Sequence, residues 1–144
     1  MATHNVRGLN QHKAAVLAGA WKEHRLEMVL LQETHMTELK ELEQMGIFPG
    51  WYIIWDHYER SESATADQVA SGSAPAPLSG RERDCRGVAI AVRQALLRPG
   101  GPLQLQESSV VRNRDGRMIH CRLEWAGHII RLVNVYLPND TAGQ

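Results

Sequence analysis

Cysteine is almost missing from this chain: Cys85 and Cys121 are the whole complement, and their separation matches no metal-ligand spacing. That excludes a disulfide scaffold and a thiolate metal centre, and it predicts free thiols in a reducing compartment. Also lacking is any apolar run near the roughly 20 residues of a membrane span, and the N-terminus has no signal-peptide pattern. A soluble, intracellular protein, nuclear or cytoplasmic, with no membrane partner is therefore expected. There is no excess charge of either sign, since 16 basic residues face 16 acidic ones. A bulk electrostatic footprint for nucleic acid is thereby excluded. Lysine is scarce, with three Lys against thirteen Arg. The planar arginine fork suits phosphate, although a GC-rich coding bias produces the same skew. Arg112, Arg114, Arg117, Arg122 and Arg131 against Glu107, Asp115 and Glu124 give residues 107–131 a modest basic bias.

What is present is one domain's worth of chain, 144 residues with 43% hydrophobic content. Ala2 to Val6 reads as a first strand. Asn10 is placed to cap a helix from Gln11 to His24, with Val16, Leu17, Ala20, Trp21 and His24 on one face. Glu27 to Gln32 is a second strand. Thr37 caps a short helix from Glu38 to Met45, which Gly46 ends. Trp51 to Trp55 is aromatic and β-branched, hence a strand. Residues 57–86 are rich in Ser, Ala, Pro and charge, with too little apolar surface to offset chain entropy, and are expected to be a disordered insertion. Gly87 to Val92 resumes as a strand, followed by a loop at Pro99–Pro102. A β-meander closes the sequence: Leu105 to Arg112, a turn at Asp115–Gly116, Arg117 to Trp125, a tight turn at Ala126–Gly127, then His128 to Leu137. Ile119, Cys121, Leu123 and Trp125 alternate with polar residues, giving one buried face. Ile129 to Val135 is nearly all apolar and is expected to be central, with a neighbour missing, as in a truncated sheet.

Three strand ends carry polar groups. Met28 to Leu31 is a buried-strand run that leads to Glu33, a carboxylate able to seat a divalent cation at a sheet rim. Asn5 ends the first strand before the Gly8 turn, and Tyr136 with Asn139 and Asp140 follows the last. Mg²⁺ keeps several waters and needs only one or two protein carboxylates plus phosphate oxygens, so one fixed Glu beside one Asn suffices. Each residue also has an ordinary reading. A strand-end Glu is commonly a solvated terminator, an Asn before glycine a turn former, and Tyr136 a rim aromatic. The seven histidines form no ligand pattern.

Taken in order, Asn-Val-Arg-Gly-Leu at 5–9, Leu-Leu-Gln-Glu-Thr-His at 30–35, Arg-Gly-Val-Ala-Ile at 86–90 and Asn-Val-Tyr-Leu-Pro-Asn-Asp at 134–140 resemble the endonuclease/exonuclease/phosphatase family. Within it they look most like the abasic-type endonuclease domain of LINE-like, non-LTR retrotransposons. The resemblance implies a four-layered α/β sandwich of the deoxyribonuclease I-like kind, incomplete at its C-terminus and spanning 1–144. By position it implies that Glu33 ligates Mg²⁺ (or Mn²⁺), that Asn5 supports the metal and the phosphate, and that Tyr136 lies beside the scissile phosphate. Arg7 and Asn139 would contact nucleic acid. DNA is the implied substrate, with a reverse transcriptase domain in the parent protein.

The sequence also departs from that pattern. Arg7 falls where the abasic-repair branch has an acidic residue, and the later Asp-x-Asn and Ser-Asp-His elements are not in this chain. The expectation is therefore a catalytically incomplete DNA-nicking phosphodiesterase. Alternatives are a phosphatase or lipid phosphodiesterase of the same fold, and a non-catalytic nucleic-acid-binding remnant. Half a sandwich exposes an apolar face and a strand edge, so association is expected too.

Overall fold

The computed structural model describes residues 1–35, 48–56, 86–113 and 116–137. The helix expected at Glu38–Met45, most of the 57–86 insertion, and Asn139 lie outside them. Strand β1 (Ala2–Asn5) runs parallel to β2 (Met28–Gln32), joined by helix α1 (Gln11–Glu23). Asn10 caps that helix as its residue type suggests: its backbone is extended and its Oδ1 accepts the Lys13 N–H at 2.8 Å. The chain leaves the helix through Arg25 in the left-handed region, where the Leu26 N–H reaches back to the Trp21 carbonyl.

The helix buries a different stripe from the one expected. The buried face of α1 is Ala14, Leu17 and Trp21, whereas Val16 is exposed. The 3- and 4-residue steps select Ala14, whose lack of bulk lets the helix sit close to the sheet.

Two more strands complete the first sheet. β3 (Trp51–Asp56) pairs antiparallel with β4 (Val88–Arg93), and β4 pairs antiparallel with β2, giving the order β1-β2-β4-β3. Val88 to Val92 are all buried because this central strand is covered on both faces. One face meets α1 through Val29, Leu31, Ala89 and Ala91, closed at the side by Trp21 stacked on Phe48 at 4.9 Å.

The other face packs on a second sheet. Its long hairpin is β7 (Met118–Trp125) and β8 (His128–Val135), joined at Ala126–Gly127, with short β5 (Leu103–Leu105) and β6 (Val111–Arg112). Ile54, Val88, Ile90 and Val92 meet Leu103, Ile119, Cys121, Leu123 and Leu132 between the sheets. Burying these side chains contributes about 1.5–3 kcal/mol each for the larger aliphatics. The described residues thus form helix, sheet and sheet of an α/β sandwich.

Two features of the meander differ from expectation. The single strand expected over Leu105–Arg112 is two pieces along one edge of β7, because Glu107–Ser109 forms a 3₁₀ turn between them. Ser109 Oγ accepts the Arg122 N–H at 2.8 Å there, so a side chain takes the place of a backbone partner. The apolar strand expected to be central, β8, pairs with β7 alone among the described residues. Its outward residues Ile129 and Val133 are 55% and 53% exposed.

Candidate functional site

Parallel pairing of β1 with β2 brings Asn5 opposite Gln32, so the next residue of β2, Glu33, sits at the same rim. The Asn5 side-chain amide donates to Glu33 Oε1 at 2.9 Å, and Asn5 Oδ1 accepts the Arg7 N–H at 3.2 Å. Asn5 thereby holds the carboxylate with one end and shapes the following turn with the other. Arg7 itself is exposed, at φ +48°.

Glu33 is not in extended backbone. Its φ is +54° and that of His35 is +59°, left-handed values that cost a non-glycine residue roughly 1–2 kcal/mol each. Neighbouring loops hold them there. Gly8 N–H donates to the Glu33 carbonyl (2.7 Å), Leu9 N–H to that of Thr34 (3.0 Å), Thr34 N–H to Gly87 (3.0 Å) and His35 N–H to Arg86 (2.8 Å). With these four main-chain groups engaged, the strained pair is held in place, and backbone strain concentrated this way is a common mark of a functional rim.

The second sheet joins the same rim through its own peptides. Gly87 N–H donates to the Gly116 carbonyl at 2.8 Å, and Tyr136 N–H to that of Arg117 at 2.7 Å. Hydrogen bonds therefore run in series from the Gly8 turn through 33–35, 86–87 and 116–117 to Tyr136. Two glycines make the approach feasible. A Cβ on Gly87 would lie 2.1 Å from Thr34 Oγ1, and one on Gly116 would lie 2.8 Å from the Gly87 nitrogen. Tyr136 is half-buried and packs at the margin of the inter-sheet core.

Residues that sequence reasoning did not assign complete the picture. His35 Nε2 lies 3.8 Å from Glu33 Oε2, and the ring rests against Gly8. Only the left-handed turn at Glu33 brings the two side chains together, and no sequence pattern announces that turn. Lys13 Nζ donates to the carbonyls of Val6 (2.9 Å) and Gly8 (2.7 Å), tying α1 to the loop below Asn5. Asn134 is 2% exposed between the sheets. Its signal was available, as a polar residue in the inward series Ile130, Leu132, Asn134, Tyr136.

Glu33 offers an oxygen donor fixed by Asn5, a donor set that fits a hard divalent cation completed by water and phosphate oxygens. No three His, Cys, Asp or Glu side chains gather into a fuller cage among the described residues. No described helix is long and apolar enough to cross a membrane.

Two layers of sheet with a helix outside and a polar rim define a deoxyribonuclease I-like α/β sandwich. Solved structures share it. An AP endonuclease from Leishmania major superposes with a TM-score of 0.60 at 15% identity, covering 95% of this chain and 39% of its own. An AP endonuclease from Archaeoglobus fulgidus superposes at 0.54 with 17% identity, over 95% of this chain and 40% of its own. At such identities the likeness shows the fold alone. This chain spans about two-fifths of the length of those structures. No protein-family model matches the sequence, and no curated protein does.

Proposed function

We propose that this chain carries the glutamate half of a Mg²⁺-dependent phosphodiesterase site, in a DNA-nicking endonuclease of the retrotransposon type. The observation that carries the reading is the Asn5–Glu33 hydrogen bond of 2.9 Å at a rim that the backbone series extends to Tyr136. Glu33 would hold Mg²⁺ (or Mn²⁺), and Asn5 would keep the carboxylate turned toward it. When bound, the cation supplies Lewis-acid polarisation of a phosphodiester oxygen. Tyr136 would donate its phenol to a phosphate oxygen. Arg7, exposed beside Asn5, and Asn139 would meet the strand of DNA.

The Asp-x-Asn and Ser-Asp-His elements, to which the resemblance assigns activation of the attacking water, do not occur in this sequence. A positioned acid or base is worth roughly 10²- to 10⁴-fold in rate, so these 144 residues alone are expected to nick poorly. The test is twofold. Mn²⁺ titration followed by electron paramagnetic resonance should show binding that Glu33→Gln removes and that Asn5→Ala weakens about tenfold, as for a lost ligand-orienting partner. Supercoiled plasmid with Mg²⁺ should be nicked barely above background. Metal binding indifferent to Glu33→Gln would end the site assignment, and vigorous nicking abolished by Glu33→Ala would end the claim of incompleteness.

A further inference from the structure

Between the two sheets lies a polar group that the proposed chemistry does not use. Asn134 sits on β8 at the inward position after Leu132, almost fully buried. Its amide nitrogen donates to two carbonyls of the opposite sheet, Leu31 on β2 and Ala89 on β4, both at 2.8 Å. Its Oδ1 accepts the Gln32 side-chain amide, also at 2.8 Å. The same Gln32 amide reaches Thr3 Oγ1 on β1 at 2.9 Å. One side chain of the second sheet is thus pinned to two strands of the first, and through Gln32 to a third, just below the rim.

An amide buried in an apolar layer costs free energy unless all its hydrogen-bonding capacity is met, and an aliphatic residue would fill the same space without that requirement. What the amide provides that a leucine does not is register. Apolar sheet faces slide against each other easily, whereas three bonds of fixed direction set one relative position. The position they set matters for two neighbours. Gln32 is the residue before Glu33, and Asn134 is two residues before Tyr136, which directly follows β8.

We propose that Asn134 is a positioning residue: its clasp on Leu31, Ala89 and Gln32 sets the separation of Tyr136 from the Glu33 carboxylate across the two sheets. This rests on the reading of Glu33 and Tyr136 as parts of one site. Asn134 touches neither reacting group and acts through the placement of β8.

Mn²⁺ provides the probe, since its unpaired electrons broaden nearby nuclear resonances with a steep dependence on distance. The full chain would be labelled at its tyrosine rings, and the broadening of Tyr136 by bound Mn²⁺ compared with that in Asn134→Leu and Gln32→Met. The first removes the whole clasp, and the second removes the Gln32 bonds while leaving Asn134 on its two carbonyls. Expected is a severalfold fall in Tyr136 broadening in Asn134→Leu and a smaller fall in Gln32→Met, with Mn²⁺ still bound through Glu33. A merely structural Asn134 would lower the melting temperature and leave the broadening as it was, which would overturn the proposal while sparing the site. Should Asn134→Leu fail to fold, Gln32→Met decides alone by the same criterion. Absence of Glu33-dependent broadening at Tyr136 in the parent chain would overturn the shared site and the positioning role together.

Discussion

Replacing Gly87 with alanine probes the place where the two sheets and the candidate site meet. Gly87 has φ +110°, a region that side-chain-bearing residues enter at a cost of about 1–3 kcal/mol. The added methyl would also fall 2.1 Å from Thr34 Oγ1, 3.2 Å from the His35 nitrogen and 3.3 Å from Thr34 Cβ. Thr34 is fully buried and its branched side chain has few rotamers to retreat into, so overpacking adds about 1–3 kcal/mol. Together these put Gly87→Ala at about 2–6 kcal/mol, a large share of the stability of a marginal domain. Thr34→Ala separates the two contributions. It removes the oxygen that the new methyl would strike, an oxygen that has no hydrogen-bond partner among the described residues. In that background Gly87→Ala should cost about 1–3 kcal/mol, so the pair should show a coupling of at least about 1 kcal/mol. Urea unfolding followed by tryptophan fluorescence reads all four proteins of the cycle. Equal losses in both backgrounds, or a single-variant loss within about 0.5 kcal/mol of zero, would refute the packing argument.

Further consequences are as easily checked. Asn10→Ala should destabilise by about 1 kcal/mol through loss of the Lys13 N–H acceptor, with Asn10→Ser restoring most of it in the same urea assay. Burial raises the Cys121 thiol from 9.0 to about 11. The folded state therefore keeps the proton that the unfolded chain releases, so the contribution is intact below about pH 9 and fades as pH climbs toward about 11. Denaturation at several alkaline pH values should show this loss, and Cys121→Val should flatten it. Val133→Lys, on the outward face of β8, which pairs with β7 alone among the described residues, should reduce self-association measured by sedimentation without lowering stability by more than about 0.5 kcal/mol. Identical sedimentation of the two proteins would exclude that face as the adhesive surface.

The sequence made some of this plain and hid the rest for physical reasons. Local rules were sufficient where a local partner decides the outcome. Asn10 caps α1 by bonding three residues ahead, and the Met28–Leu31 run forms β2. The alternation from Ile119 to Leu123 faces the core, and Ala126–Gly127 turns the hairpin with both residues at positive φ. The pairing of Asn5 with Glu33 was foreshadowed by their placement at two strand ends. Non-local partners decided the failures. β6 is cut from β5 because Ser109 captures the Arg122 N–H, a bond no window of sequence contains. Val16 points outward because the sheet beneath α1 selects the stripe around Ala14. His35 meets Glu33 only through left-handed backbone that four hydrogen bonds from other loops enforce.

The serial bonding of peptides from Gly8 to Tyr136 makes the two ends of the sandwich unequal in what they tolerate. At the Ala126–Gly127 end the hairpin tip is exposed, and a Cβ added to Gly127 would meet no described atom within 4 Å. An engineer could splice a tag or a longer connection there at little risk. At the opposite end a single residue inserted beside Gly116 would strip Gly87 of its acceptor, and the disturbance would pass along the hoop to Thr34 and the strained carboxylate beside it. Any graft meant to change what this rim grips must therefore carry the whole hoop with it.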